Sequence, residues 1–264
     1  DPLARDWALN VAVAGRHESS MRKLLLRAGS GSGERSVEFR AEATGEQPGL
    51  LQARRIGNVG YVRIHNSLGD NELVRAFDVA LRGFAGVSGF ILDLRDTPSG
   101  GTSSVARGLM GHFVATPSPY QRHEYVAEGR ETGVPRIWVE QVAPRAPVLD
   151  APVVVLVGAW TGSMGEGIAI GLNAARGAPV LGQRMAQLLG ALGEVRLTHS
   201  GIVARIPTEK LFHVNGTPRE NFSPQAVEDS VPGDTTLEAA MRLIAPGTIC
   251  ATPGTWRPGA RTWK

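Results

Sequence analysis

Apolar positions along the chain recur with two different periods, and the switches between them outline the fold. Residues 153–157 form an unbroken apolar run of strand length, the pattern of a strand covered on both faces. Residues 89–94 read the same way apart from Asp93, and 59–64 is a third strand. Between these two, residues 71–84 place Leu73, Ala76, Phe77, Ala80, Leu81 and Phe84 on one helical face, with Asp70 positioned to cap it. Further helices are predicted over 105–113, 165–175 and 234–244. Repeated strand, turn and helix predict an α/β domain. Residues 114–150 are Pro-rich with few periodic positions and read as a long surface excursion of the kind that shapes substrate sites.

The first part of the chain is different. A strand-like run at 23–27, a Gly/Ser turn at 29–33 and an alternating polar and apolar stretch at 36–40 make a small β unit. It is too short for a good core of its own, and a Gly/Pro linker follows at 45–49. The expected organisation is therefore 1–46 as the β unit, 47–245 as the α/β domain and 246–264 as a Pro/Arg-rich tail. No basic start followed by an apolar stretch opens the sequence, which fits a signal already removed or a fragment.

Composition narrows the function classes. With 42% hydrophobic and 20% charged residues the chain is globular, and no apolar run approaches the roughly 20 residues a membrane span needs. The 28 basic and 25 acidic residues are interspersed, so no basic stripe marks a nucleic-acid partner. The single cysteine, Cys250, rules out an internal disulfide framework and a cysteine-cluster zinc site. Lys23, Lys210 and Lys264 are the only lysines. Nearly all the positive charge is thus arginine, which holds its proton and makes a poor general base.

Candidate chemistry falls in two turns, 96–101 and 158–166, each leading from a buried strand into a helix, where α/β folds meet their ligands. Ser163 in the second turn stands at a helix N-terminus. It is either an N-cap or a nucleophile with the Met164 N–H beside it as half of an oxyanion hole. Gly100 and Gly101 in the first turn either make a tight turn or cradle a phosphate; no lysine and no GxGxxG pattern supports the cradle. Glu166 suits the first turn of a helix on dipole grounds alone. Asp93 pairs with Arg95 or caps a turn, and Trp160 is either a packing residue or a pocket wall.

Four segments in order carry a family resemblance: Gly60-Tyr61-Val62-Arg63-Ile64, Asp93-Leu94-Arg95-Asp96-Thr97-Pro98-Ser99-Gly100-Gly101, the stretch 153–166, and Val180-Leu181-Gly182. From about Gly57 to about Val231 the chain resembles the S41 peptidases, the family of the C-terminal processing (tail-specific) proteases and the tricorn core protease. The resemblance implies a ClpP/crotonase-like catalytic domain, with residues 1–46 as the later part of a PDZ-like module. It implies that Ser163 is the nucleophile, that Glu166 matches the glutamate three residues on, and that Met164 with Gly100 or Gly101 forms the oxyanion hole.

In the tail-specific branch a lysine downstream of the serine is the base, and here that position is Leu188. An apolar side chain has no lone pair for a proton, which sets a Ser-Lys dyad aside. The tricorn-like branch uses a histidine oriented by a late glutamate. Gly216-Thr217-Pro218-Arg219-Glu220-Asn221-Phe222 resembles that late segment, with Glu220 as the glutamate, and 184–191 also looks like that branch. In such proteins the histidine precedes the PDZ-like module, in a segment this sequence does not contain. Of the six histidines here, His65 is the best candidate, because it ends the strand 59–64 over the same sheet edge as Ser163. His17 reads as solvated, His112 as helical, and His123 as an excursion residue able to touch substrate. His199 and His213 flank strand-like segments, and His213 is near Glu220 in sequence. None has metal-ligand spacing.

The expectation is a serine hydrolase, a tricorn-like peptidase acting on a peptide or protein through Ser163, a histidine and Glu220. It needs no metal or organic cofactor, and an esterase or acyl-transfer variant is possible. Two rivals stand beside it. One is an inactive binding module for an apolar ligand or peptide, as in the interphotoreceptor retinoid-binding proteins; the other is a crotonase-like acyl-CoA enzyme. Family resemblance further implies an exported or periplasmic protein.

Overall fold

The computed structural model describes residues 5, 8–9, 21–27, 33–40, 49–227 and 233–244, in two compact units, Asp1–Pro48 and Gly49–Lys264. His17, most of the 45–49 linker, Cys250 and the 246–264 tail lie outside the described residues. In the first unit β1 (Met21–Arg27) and β2 (Glu34–Arg40) pair antiparallel, Met21 opposite Arg40 and Arg27 opposite Glu34. The ion pairs across it, Lys23 with Glu38 and Arg27 with Glu34, are solvated and hold little energy.

The second unit runs β3 (Leu51–Ile56), β4 (Val59–His65), α1 (Glu72–Arg82), β5 (Gly89–Asp96) and α2 (Ser103–Met110). There follow β6 (Ser118–Tyr125), α3 (Val126–Thr132), β7 (Arg136–Val142), β8 (Val153–Val157) and α4 (Met164–Arg176). The chain closes with β9 (Val180–Gly182), β10 (Ala191–Arg196), β11 (Val203–Phe212) and α5 (Thr235–Ile244). No helix among the described residues is long and apolar enough to cross a membrane.

A five-stranded sheet, β3-β4-β5-β8-β9, forms the centre; β3 and β4 are antiparallel, and from β4 to β9 all neighbours are parallel. Strand alternation sends residues to two cores. Val62, Leu92, Val153, Val155 and Val157 join the core that includes Leu73 and Phe77 of α1, Leu109 of α2 and Ile168 of α4. Val59, Tyr61, Ile91, Val154 and Leu156 join Ala240 and Ile244 of α5 on the other side. That two-sided burial is why β8 reads as continuously apolar. Each fully buried Leu, Val or Phe contributes about 1.5–3 kcal/mol of transfer energy. Asp70 Oδ1 accepts from the Glu72 N–H at 2.9 Å, so it does satisfy the start of α1.

Asp93 is fully buried in the α5-side layer and is neutralised rather than left alone. Tyr61 Oη donates to its Oδ2 at 2.7 Å, and Arg95 reaches Asp93 and then Asp234, each at 2.7 Å. Burial, reinforced by Asp93, pushes the Tyr61 phenol up to about 12.

The stretch 114–150 is not a surface excursion, and here the expectation fails. It supplies β6, α3 and β7, and with β10 and β11 it builds a second, antiparallel sheet of order β10-β11-β6-β7. The inward positions of β6 include Gln121 and His123, which are polar, and a register shift near Pro119 and Gln121 interrupts the alternation. Both effects erase the period-2 signal.

Candidate active site

The two Gly-rich turns emerge side by side at the carboxyl ends of β5 and β8 and lock together. Thr97 O accepts the Gly162 N–H at 3.1 Å, and Thr97 Oγ1 and Thr161 Oγ1 both donate to Leu94 O, at 2.8 and 2.9 Å. Asn66, just beyond β4, braces the first turn: its side chain accepts from the Ser99 N–H at 2.8 Å and donates to Ser99 Oγ at 3.0 Å. Sequence reading missed Asn66, whose signal is only a turn-forming residue at a strand end.

Ser163 stands at the start of α4 with φ 49° and ψ −111°. An N-cap residue takes extended backbone angles, and these are neither extended nor those of the left-handed helix. Holding a non-glycine residue there costs about 1–3 kcal/mol, a conformation that persists where surrounding structure enforces it. Glu166 is part of that enforcement. Fully buried, it accepts the Ser163 N–H at 2.9 Å and the Leu188 N–H at 3.3 Å, with Arg219 Nη2 3.6 Å from its Oε2. Burial raises the Glu166 carboxyl above its ordinary value, while Arg219 and the Ser163 N–H pull the other way. Arg219 is itself 1% exposed and donates to Leu188 O at 3.0 Å.

Gly100 lies against the serine. It has φ +64°, and a Cβ there would come within 2.3 Å of Ser163 Cβ and 2.9 Å of the Met164 nitrogen. Its own N–H turns back to Thr97 O at 3.3 Å, whereas the N–H groups of Gly101 and Met164 have no acceptor among the described residues. Met164 follows the serine directly and Gly101 shares a cavity wall with it, and two unpaired backbone donors there are the makings of an anion site.

These groups open into a cavity of about 530 Å³ whose wall holds Ser163, Met164 and Gly101, together with Gln121, His123 and Glu209 from the second sheet. Arg219 and Glu140 also face it. Neither His65 nor Glu220 lines this cavity. His65 points its Nδ1 at Asp96, 3.5 Å away, and Asp96 is already held by Arg63 at 2.6 and 2.8 Å. Glu220 is half-buried next to Arg219; its backbone carbonyl accepts from Gln187 at 2.8 Å, and its carboxylate has no hydrogen-bond or ion-pair partner among the described residues. Trp160 is 53% exposed and lines a separate cavity with Arg95 and Asp234.

The remaining histidines divide by environment. His112 is a core residue, bonded to Pro147 O at 2.9 Å and Asp78 at 3.0 Å. His213 stacks on Phe222 with centroids 6.0 Å apart, and burial lowers its pKa. His199 is exposed. His123 alone among the described histidines is in the cavity wall, and it was concealed because its strand was read as loop.

Residues 58–227 match the model of Peptidase family S41, and the chain belongs to that family. Solved structures agree on the fold. A Parabacteroides merdae protein proposed to be a peptidase superposes with a TM-score of 0.64 at 20% identity, over 76% of this chain and 66% of its own. For the photosystem II D1 C-terminal processing protease the values are 0.62 and 18%, over 88% of this chain and 61% of that one. For mature CPAF complexed with lactacystin they are 0.63 and 14%, over 92% and 71%. The chain thus spans about two thirds of the length of the structures it matches. Its larger unit is a ClpP/crotonase-like domain.

Proposed function

We propose that this protein is a serine peptidase in which Ser163 is the nucleophile and the N–H groups of Met164 and Gly101 receive the oxyanion. The backbone of Ser163 is the observation that carries the reading. A serine that merely capped α4 would have no need of φ 49°, and the N–H groups of Met164 and Gly101 in the same cavity wall have no acceptor among the described residues. Gly100 is the less suitable donor, because its N–H is already engaged with Thr97.

In this reading the hydroxyl attacks the scissile carbonyl, a base takes its proton, and the acyl-enzyme is released by water. The base is a histidine, since Leu188 stands where the tail-specific branch has its lysine and no lysine faces the cavity. The tricorn-like resemblance supplies Glu220 as a carboxylate to orient such a histidine; its charge lies near Arg219, and its side chain makes no hydrogen bond among the described residues. His65 is the weaker candidate for the base because it does not line the cavity that holds Ser163. Export to the periplasm or beyond belongs to the same reading, on family resemblance. A cavity walled by Gln121, Glu140, Glu209 and Arg219 suits a peptide better than an apolar ligand.

Labelling with a fluorophosphonate probe tests the assignment. The expected result is one label per chain, abolished in Ser163→Ala; equal labelling of that variant overturns the reading.

A further inference from the structure

The cavity side of the second sheet carries a carboxylate that no cation of the described residues balances. Register puts Gln121 of β6 opposite Glu140 of β7, His123 between Trp138 of β7 and Leu211 of β11, and Tyr125 opposite Glu209 of β11. Alternation along the strands therefore turns Gln121, His123, Trp138, Glu140, Glu209 and Leu211 to one side, and all of them line the Ser163 cavity. The other side follows the usual rule for a sheet, with Lys210 3.3 Å from Glu124.

On the cavity side the charges do not close. Glu140 is met by Arg107 at 3.1 Å and by the Tyr120 hydroxyl. Arg219 is met by Glu166 and donates to the carbonyls of Leu188 and Gly190. Arg136, in the row of Glu209 but beyond β6, reaches Glu128 at 3.6 Å. Glu209 is half-buried, and its one partner among the described residues is His123, whose Nδ1 is 3.1 Å from Oε2. No described donor reaches its Oε1.

His123 does not supply the missing charge. An ionised carboxylate only accepts, so Nδ1 bears the proton that Glu209 receives. Gln121 presents its amide nitrogen to Nε2 at 3.0 Å, so Nε2 accepts and the ring is neutral. That leaves the amide oxygen of Gln121, a residue 1% exposed, with no donor at all. The wall thus holds an uncompensated carboxylate and a buried acceptor without a proton, while its one guanidinium among the described residues is already paired.

We infer that this cavity takes the basic side chain of a peptide, a lysine ammonium or an arginine guanidinium, and that Glu209 selects it. The inference rests on Ser163 and its cavity being the substrate site. A half-buried carboxylate gives up solvation that a neutral imidazole repays only in part, and an incoming cation repays more through a charge-assisted hydrogen bond. Trp138, Leu192 and Leu211 offer an apolar wall to the methylene stem of such a side chain. An acidic side chain in the same place meets Glu209 with like charge.

The test titrates the full chain with n-butylguanidinium and with its uncharged isostere n-butylurea, reading binding by calorimetry and, in parallel, the rate of fluorophosphonate labelling. The guanidinium is expected to bind at least about 10-fold more tightly than the urea, the scale of a hydrogen bond to a charged group, and to slow labelling as it binds. Glu209→Gln keeps the size of the side chain and its bond to His123 but not the charge, so the two ligands should then bind alike. Glu124→Gln, on the other side of β6, should keep the preference. Equal binding in the parent, a preference that survives in Glu209→Gln, or binding that leaves labelling untouched overturns the inference. In each of those cases a Ser163→Ala variant that stays unlabelled leaves the nucleophile standing. Labelling of Ser163→Ala instead removes the underlying reading of Ser163, whatever the ligands do. If melting curves show Glu209→Gln unfolded, the parent decides with pentanoate, an anion of similar length. Pentanoate bound as tightly as the guanidinium overturns the inference, and pentanoate bound more weakly than the urea supports it.

Discussion

At residue scale, Ser163 and Gly100 define each other. The serine is held at φ 49°, and the glycine at φ +64° has surrendered its side-chain space to it. Gly100→Ala introduces a methyl 2.3 Å from Ser163 Cβ on a backbone that L residues rarely adopt. We expect a loss of about 1–3 kcal/mol in denaturant-measured stability from backbone strain. Fluorophosphonate labelling should fall by at least about 10²-fold, the scale of a displaced oxyanion donor. A variant labelled at the parent rate would show that this contact is not part of the site. Both turns could be picked out in the sequence from glycines following apolar runs, but the choice between cap and nucleophile could not. That choice depends on a dihedral angle, which the local residues permit and only the packing of Glu166, Arg219 and Gly100 imposes.

At element scale, legibility followed burial on two sides. Strands β4, β5 and β8 and helix α4 stood out because their neighbours are apolar on both faces, so each announces itself as a run or a stripe. Strands β6 and β7 did not, and β10 and β11 showed only as strand-like segments beside His199 and His213. One face of their sheet meets the cavity through Gln121 and His123, and on β10 and β11 Leu192, Val195 and Ile206 are exposed, the reverse of a core-in, water-out pattern. The lost strand took with it the histidine and glutamate of the cavity wall. Helix α5 shows the opposite case, predicted from its apolar face and then anchored by charge. Asp234 accepts the Leu237 N–H at 3.0 Å and takes two bonds from Arg95, at 2.7 and 2.8 Å. Asp234→Ala should cost about 1–2 kcal/mol through the lost cap, read as a lower melting temperature with labelling retained.

At the scale of the whole second unit, arginine–carboxylate pairs tie distant segments together and give stability a pH dependence with a definite sign. Hydrogen bonds from Arg63 hold the Asp96 carboxyl below its ordinary value, and those from Arg95 do the same for Asp234. A carboxyl whose folded value is depressed stabilises the fold above its unfolded value, about 3.9, and loses that contribution as pH falls through the folded one. The contribution of these two pairs to the denaturation midpoint should therefore be complete above about pH 5 and fall away below about pH 4. In Arg63→Ala the acid slope should be shallower, and an unchanged slope would discount the Asp96 pair.

The same unit also has a direction in time. The α5-side layer of the central sheet, with Val59, Tyr61, Ile91, Val154 and Leu156, is covered chiefly by residues 235–244, and Arg95, which holds Asp93, waits on Asp234, 139 positions later. During synthesis the earlier strands can pair and gather α1, α2 and α4 on their first face, but the second face stays wet until the last described helix has left the ribosome. Newly made chains therefore pass through a stage with one finished core and one open apolar layer, which a holding chaperone would recognise and the mature protein conceals.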